Sequence, residues 1–510
     1  MDQVPDISII LYSHYFICRF QRYMLNVIKE YAKSMISWEY NKEFKRFMPG
    51  KIYVGMTLDN SEYRFHVNQL HSFIAFIRDK GLTLTVDNIT KIDLYEPARL
   101  TYPTHITKEL RDYQSKAIDH IVNKDTKQLT RFLGLPTGTG KTFTGLYACA
   151  TLGKRVVIII LPNYISKWVL DIQENLGVSI DSIITVQGSG QLRGLIDLAQ
   201  QGILNKDYII ISIRTMQNYI DFYESYPQVC EDDYGCLPDD FYKILQAGTV
   251  LIDETHQHFY AVYKTILYMH VSMLISLSAT LISDDNLISK IHNIVYPKEI
   301  RYDDLLMEKY IYVYAVDYSY RNFLIRKIQT REFGRKEYSH NAYEKSIMRN
   351  KEYTLTAYLG MIVYMVRHSY MDRRVPGDRL LVYASTIQMC GYICKCLKDH
   401  FPELDVRTYT QDDSYDNVMN ADITVSNIQK AGTALDIPNL IAVIQTISIS
   451  SSVSNLQSLG RLRKLKDKEV RYYYLYCSNI EKHKDYHQKR MELFAPKVVA
   501  IKQLAYHTLL

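Results

Sequence analysis

A chain of 510 residues is long enough for two or three domains, each with its own core, and 47% apolar against 23% charged residues excludes a disordered or fibrous class. The formal charge of +6, from 61 basic and 55 acidic residues, is a mild excess that permits a nucleic-acid partner without demanding one. Eight cysteines lie scattered without a C-x-x-C pair, so reduced thiols are expected and zinc is not; apolar runs such as 156–161 are far too short to span a bilayer.

Within the first 100 residues, the run 38–47, then 51–58, a turn, and a helical pattern over 67–79 ending at Gly81 predict strands followed by a helix. This is a small α+β module. Lys42, Lys45, Arg46 and Lys51 interleave with Phe44 and Phe47, a pattern that suits a phosphate-binding strip with ring contacts and equally an ordinary amphipathic surface.

From about residue 110 the pattern alternates. A helix is expected over 113–122, then apolar runs at 132–135, 156–161, 208–213, 250–253 and 273–277, most of them separated by polar segments of helix length. Short β-branched runs so spaced predict buried parallel strands with crossover helices, an α/β architecture that binds ligands at the carboxyl ends of its strands. The segment 219–248, with Pro227, the acidic run 231–233, Gly235 and Pro238, is expected as a surface excursion held away from phosphates. The stretch 301–378 is expected as a connector with a helix over 351–367, and a second strand series at 380–384, 406–409, 423–426, 440–445 and 472–477 repeats the architecture. The expected divisions are an accessory module at 1–100, a first α/β domain at 101–300, connector and second α/β domain at 301–480, and a helical tail at 481–510.

Chemistry enters at Leu133-Gly134-Leu135-Pro136-Thr137-Gly138-Thr139-Gly140-Lys141-Thr142, a glycine-rich loop between a strand and a helix. Backbone N–H groups of such a loop cradle phosphates, Lys141 reaches the β/γ oxygens and the Thr142 hydroxyl can ligate Mg²⁺. About 110 residues later Val250-Leu251-Ile252 ends in Asp253-Glu254-Thr255-His256. Asp253 is placed to hold Mg²⁺ and Glu254 to orient and deprotonate the attacking water. Ser278-Ala279-Thr280 follows.

That order of phosphate loop, Asp-Glu-x-His box and Ser-Ala-Thr resembles superfamily 2 helicases of the DExH type, which often replace the glycine that the strict loop pattern would put at Leu135. The resemblance implies two tandem RecA-like domains, ATP and Mg²⁺ as cofactors, and a role for His256, Ser278 and Thr280 in coupling nucleotide state to strand grip. Arg111 and Gln114 resemble the adenine-reading motif. Pro162 with Trp168, Ser212, and Ser426 at the end of a later strand fall where the family contacts nucleic-acid backbone; for Trp168 a plain core position is an equal alternative. Residues 432–438, with Asp436, resemble a motif beside the nucleotide. In 457–461, Gln457 is expected to sense the γ-phosphate and Arg461 to act as the arginine finger. A second finger falls at Lys464, where the family carries arginine, or at Arg463.

The N-terminal module, in its order of elements, and the helix around Asp485, His487 and Arg490 resemble the phage UvsW group and RecG-like branched-DNA helicases. That narrower resemblance implies a monomer without membrane attachment, acting on forked, branched or single-stranded DNA in replication, recombination and repair. It is expected in the cytoplasm, the host's if a phage encodes it. An RNA helicase, a transcript-release helicase and a duplex translocase without strand separation share the same motifs; a binding protein with a decayed ATPase and a one-lobed P-loop kinase fit them less well.

Overall fold

The computed structural model describes residues 6–41, 44–82, 84–106, 108–123, 128–135, 139–279, 285–303, 309–332, 337–411, 413–428 and 437–506. Of the expected site residues, Lys42, Pro136, Thr137, Gly138, Thr280 and Asp436 lie outside them. The chain divides into two units, Met1–Leu305 and Leu306–Leu510.

The first unit opens with seven short strands: β1 (Ile7–Leu11), β2 (Tyr15–Phe20), β3 (Ile36–Asn41), β4 (Arg46–Ile52), β5 (Gly55–Met56), β6 (Glu62–His66) and β7 (Ile89–Lys91). Five form a mixed sheet in the order β5-β6-β2-β1-β7, while β3 and β4 pair with each other, as an antiparallel ribbon. The helices Leu25–Lys33 and Leu70–Asp79 bury Ile28, Ala32, Phe73 and Ile77 at helical spacing.

A second sheet follows: β8 (Thr130–Gly134), β9 (Val156–Ile160), β10 (Ile183–Val186), β11 (Tyr208–Ser212), β12 (Thr249–Ile252), β13 (Met273–Ser278) and β14 (Arg301–Tyr302). Its order is β10-β11-β9-β12-β13-β8-β14, with every pairing parallel. The Val-Val-Ile-Ile-Ile run of β9 is buried throughout, as a strand covered by helices on both faces must be.

The segment 219–248 departs from expectation. Instead of a surface excursion it continues the helix Ile213–Ser225 and adds Pro227–Tyr234 and Pro238–Ile244, two helices that carry proline in the first turn, where no N–H is needed. Cys230, Cys236, Phe241 and Tyr242 are buried there. Asp239 accepts a hydrogen bond from Arg64 Nη2 at 2.7 Å and another from the Tyr15 hydroxyl. Arg64 itself is buried, its guanidinium 4.3 Å from the Tyr268 ring centre. Asp239 therefore docks the N-terminal module, while the acidic run 231–233 stays exposed, and one hydrophobic core runs from Ile7 to Ile300.

The second unit is built on β15 (Ile311–Tyr318), β16 (Arg379–Ala384), β17 (Val406–Tyr409), β18 (Ile423–Asn427), β19 (Leu440–Gln445), β20 (Val470–Cys477) and β21 (Ala500–Ala505). They order as β17-β18-β16-β19-β20-β15-β21, all parallel. Two of these strands lie in segments expected as connector and helical tail. The tail does begin with a helix, Glu481–Phe494, before β21 pairs with β15. In the connector, the helix Thr356–Val366 is flanked by π-helical turns at Lys351–Leu355 and Arg367–Met371. All eight cysteines are free thiols, and no helix among the described residues is long and apolar enough to cross a membrane.

Candidate active site

Three neighbouring strands bring the motifs of the first unit together across more than a hundred residues of sequence. β8, which leads into the glycine-rich loop, pairs with β13 so that Gly134 lies beside Ser278, and β13 pairs with β12, which delivers Asp253 and Glu254. Their carboxyl ends thus share one edge of the sheet, where parallel α/β sheets hold ligands.

Gly140 ends the loop at φ 79°, and a Cβ there would sit 2.6 Å from Gln114 Nε2, so conformation and space both demand glycine. Lys141 and Thr142 open the helix Lys141–Leu152, with its N–H groups at the loop. Lys141 is buried, its Nζ 2.9 Å from Glu254 Oε1 and 3.7 Å from Asp253 Oδ1. Burial alone would depress the ammonium; Glu254 and Asp253 outweigh it and hold its pKa above the ordinary value. Burial pushes the Asp253 carboxyl above the usual carboxylate range, against the pull of Lys141.

Glu254 adopts φ 48°, a left-handed conformation that costs a non-glycine residue of order 1 kcal/mol or more and is sustained by surrounding contacts. Its N–H donates to Asp253 Oδ1 at 2.8 Å. His256 Nδ1 lies 3.3 Å from Glu254 Oε2 and 2.8 Å from Ser278 Oγ, and burial lowers its pKa to about 4, so at neutral pH it is uncharged. Lys141 thus bonds Glu254, and His256 bonds Ser278 close beside the Glu254 carboxylate, so residues of the three motifs meet at one place.

The adenine-motif residues are fastened to the same loop. The Tyr113 hydroxyl and Gln114 Nε2 both donate to the Thr139 carbonyl, at 2.7 and 3.2 Å, while Gln114 Oε1 accepts from the Arg111 N–H at 3.0 Å. Gln114 is buried with both ends of its amide engaged by protein, so an adenine contact requires these bonds to exchange; Arg111 is exposed.

Three of the expected nucleic-acid contacts are buried. Trp168 is 2% exposed and belongs to the core that covers β9, the alternative its aromatic bulk always allowed. Ser212 is buried at the head of the helix Ile213–Ser225, and Ser426 is buried with its hydroxyl donated to the Tyr409 carbonyl. Pro162 is partly exposed, while Lys45 and Arg46 are exposed at the turn of the β3–β4 ribbon.

In the second unit Gln457 lies on the helix Ser452–Leu459, and Arg461 follows it with its Nε donating to the Gln457 carbonyl at 3.2 Å. The Arg463 guanidinium turns back onto the Gly460 carbonyl, whereas Lys464 is exposed. Sequence reasoning gave no role to the brace behind this helix. Buried Arg490 donates from Nε to Asn455 Oδ1 at 2.9 Å and from Nη2 to the Ile447 carbonyl at 3.0 Å, over the Tyr474 ring at 4.6 Å. No sequence signal marked it, since Arg490 stands among Lys482, Lys484, Asp485, Lys489 and Glu492 on a highly charged helix.

Residues 107–283 match the family described as "Type III restriction enzyme, res subunit". Over 381 residues the chain is 20% identical to the general transcription and DNA repair factor IIH helicase/translocase subunit XPB of Schizosaccharomyces pombe, a match that covers 70% of this chain and 42% of that protein. The chain thus spans under half the length of that relative. The ATP-dependent type ISP restriction-modification enzyme LlaBIII, solved bound to DNA, superposes with a TM-score of 0.50 at 13% identity, covering 87% of this chain and 36% of that one. T4 UvsW matches over 98% of this chain and 99% of its own at 13% identity, with a TM-score of 0.34 that carries no weight. The fold is that of two tandem RecA-like domains behind a small α+β module, and the resemblance to superfamily 2 helicases, a class of ATP-dependent enzymes, is borne out by the family match over the first of them.

Proposed function

We propose that this chain is an ATP-dependent DNA helicase or translocase that acts on forked or branched DNA. The observation that carries the reading is the meeting of Lys141, Glu254, His256 and Ser278, with Asp253 alongside, on three adjacent strand ends. A lysine for the phosphates, a carboxylate pair and a hydroxyl bonded to a neutral histidine beside it are the parts a triphosphate hydrolase needs to report its state to another surface.

Hydrolysis needs a base near the attacking water, and Glu254 supplies it once Lys141 exchanges its carboxylate partners for phosphate oxygens. The oxygen donors Thr142 and Asp253 suit Mg²⁺, a hard cation that neutralises charge on the β and γ oxygens when bound. Gln457 and Arg461 serve the γ-phosphate in this reading: a guanidinium stabilises transition-state charge by a factor of about 10³ to 10⁵, with Arg463 or Lys464 as the second cation.

DNA is favoured over RNA by the match to a restriction-enzyme family and by the DNA-repair role printed in the name of the fission-yeast relative. Replication, recombination and repair at junctions, in a phage-infected cell, is the narrower setting that the N-terminal module's order of elements supports. The deciding experiment compares ATPase stimulation by forked DNA, single-stranded DNA, blunt duplex and RNA at one salt concentration, because phosphate-driven affinity shifts with salt. Strongest stimulation by forked DNA, with strand displacement, supports the proposal. RNA as the best activator would make it an RNA or transcript-release helicase, and duplex-stimulated hydrolysis without displacement a translocase.

A further inference from the structure

Among the described residues the β3–β4 ribbon pairs with no other strand, and it does not hide its aromatic rings. Its register sets Tyr40 opposite Phe47 and Trp38 opposite Pro49, so these four side chains share one face while Glu39, Met48 and Gly50 occupy the other. Trp38 is 49% exposed, Tyr40 53% and Phe47 65%; Phe44, at the turn, is 57% exposed. Tyr40 and Phe47 meet edge to face at 5.4 Å, and the Arg46 guanidinium lies 5.8 Å from the Phe44 ring centre. Lys45 and Lys51 are exposed beside them. The one described carboxylate of the ribbon, Glu39, lies across Gly50 on the opposite face.

A soluble protein rarely leaves such a surface bare, and a ribbon of two strands gains little stability of its own from it. The root is firmly planted: Tyr53, buried just past β4, donates its N–H to the Met35 carbonyl at 2.9 Å. Its ring packs edge to face at 5.3 and 5.6 Å from Tyr260 and Tyr263 of the helix Phe259–Ile266. That helix begins three residues after His256. Aromatic faces interleaved with cations are the means by which proteins hold unpaired nucleotides: rings take the bases and ammonium or guanidinium groups take the phosphates.

We infer that the aromatic face of the β3–β4 ribbon is a stacking platform for the bases of a single DNA strand, with Lys45 and Lys51 beside it on the phosphates. The inference rests on the DNA-directed function proposed above and deepens it: the module that the first unit carries rigidly receives unpaired strand rather than duplex.

The chain holds only two tryptophans, and Trp168 is buried, so emission from the exposed Trp38 reports on the ribbon directly. Fluorescein-labelled oligothymidine is titrated into the full chain, with tryptophan emission and label anisotropy followed together. Quenching that saturates with binding is expected. The double variant Trp38→Ala, Phe47→Ala should bind the oligonucleotide about 10- to 100-fold more weakly, whereas Trp38→Phe, which keeps a ring, should bind nearly as the parent does while losing the quench. An unchanged thermal midpoint certifies that each variant is folded.

Binding without quenching, no binding by the parent, or a double variant that binds as tightly as the parent overturns the platform. Oligouridine quenching as strongly as oligothymidine overturns the assignment to DNA, and dispersal of a self-associated parent by the double variant would show the face to be a contact between copies instead. Failure of the broader function is separate: it would show as ATP hydrolysis that no nucleic acid stimulates, whatever the ribbon does.

Discussion

In the proposed function, Arg490 would bear on phosphate chemistry from a distance. Its guanidinium holds Asn455, two positions before Gln457 and on the same helix, so the orientation of Gln457 and Arg461 depends on a buried hydrogen bond from the tail. Small misplacements of catalytic groups cost rate more than affinity. Arg490→Gln is therefore expected to lower kcat for nucleic-acid-stimulated ATP hydrolysis about 10- to 100-fold while KM for ATP changes little, and Arg490→Lys to restore part of it. A residue that only supports folding would lower the thermal midpoint and the active fraction without this split between kcat and KM.

At the scale of elements, an ion pair of buried Arg64 with Asp239 crosses between the N-terminal sheet and the helices of the first parallel sheet, beside the core they share. Arg64 is enclosed by Tyr15, Tyr223 and Tyr268 and bound by both oxygens of Asp239. Removing Asp239 strands the buried Arg64 guanidinium and should destabilise by about 3 to 5 kcal/mol, more than Arg64→Ala, which leaves a partly exposed carboxylate. The double variant with Asp239→Ala should cost clearly less than the sum of the singles, as urea unfolding would show. Additivity would mean that the two residues are not coupled.

The same elements show what the sequence made legible. β9, β11, β12 and β13 were plain because buried parallel strands demand unbroken β-branched runs, and the phosphate loop and the carboxylate pair were plain because their chemistry fixes residue type and spacing. β15 and β20 are rich in tyrosine; the apolar core of β20 was found, yet β15 was lost in a Tyr- and Lys-rich connector. β21, with Lys502 and Gln503 exposed, has the composition of a surface segment and is a strand because β15 offers it an edge. The helices at 227–244 were hidden because acidic residues and prolines read as a loop; the partner that makes Asp239 structural, Arg64, is 175 positions away. Trp168, which the sequence left equally open as a motif contact or a core residue, is buried.

For the whole molecule, buried histidines set the response to acid. Burial lowers the pKa of His14 and His256 to about 4 and of His66 and His483 to about 3. Each is neutral in both folded and unfolded chains above pH 6.5. Below that the unfolded chain takes up a proton the folded one refuses, so stability falls as pH drops toward the folded value, at a slope approaching about 1.4 kcal/mol per pH unit for each group. Glu344, raised by burial to about 7, and Asp253, raised above its ordinary range, act in the opposite sense, gaining stability on acidification. The histidines outnumber them, and the urea midpoint is expected to fall steadily from pH 7 to pH 5; a midpoint that rises over that range would contradict the assignment of these histidines as neutral.

The account stands on Glu254 as the base of an ATPase whose turnover moves DNA. The direct measurement is strand displacement on a forked duplex together with ATP hydrolysis, for the parent and for Glu254→Gln, which keeps the shape and removes the base. The account predicts that the variant still binds ATP and DNA but loses hydrolysis by about 10² to 10⁴, and displacement with it. Hydrolysis at the parent's rate in Glu254→Gln would contradict it.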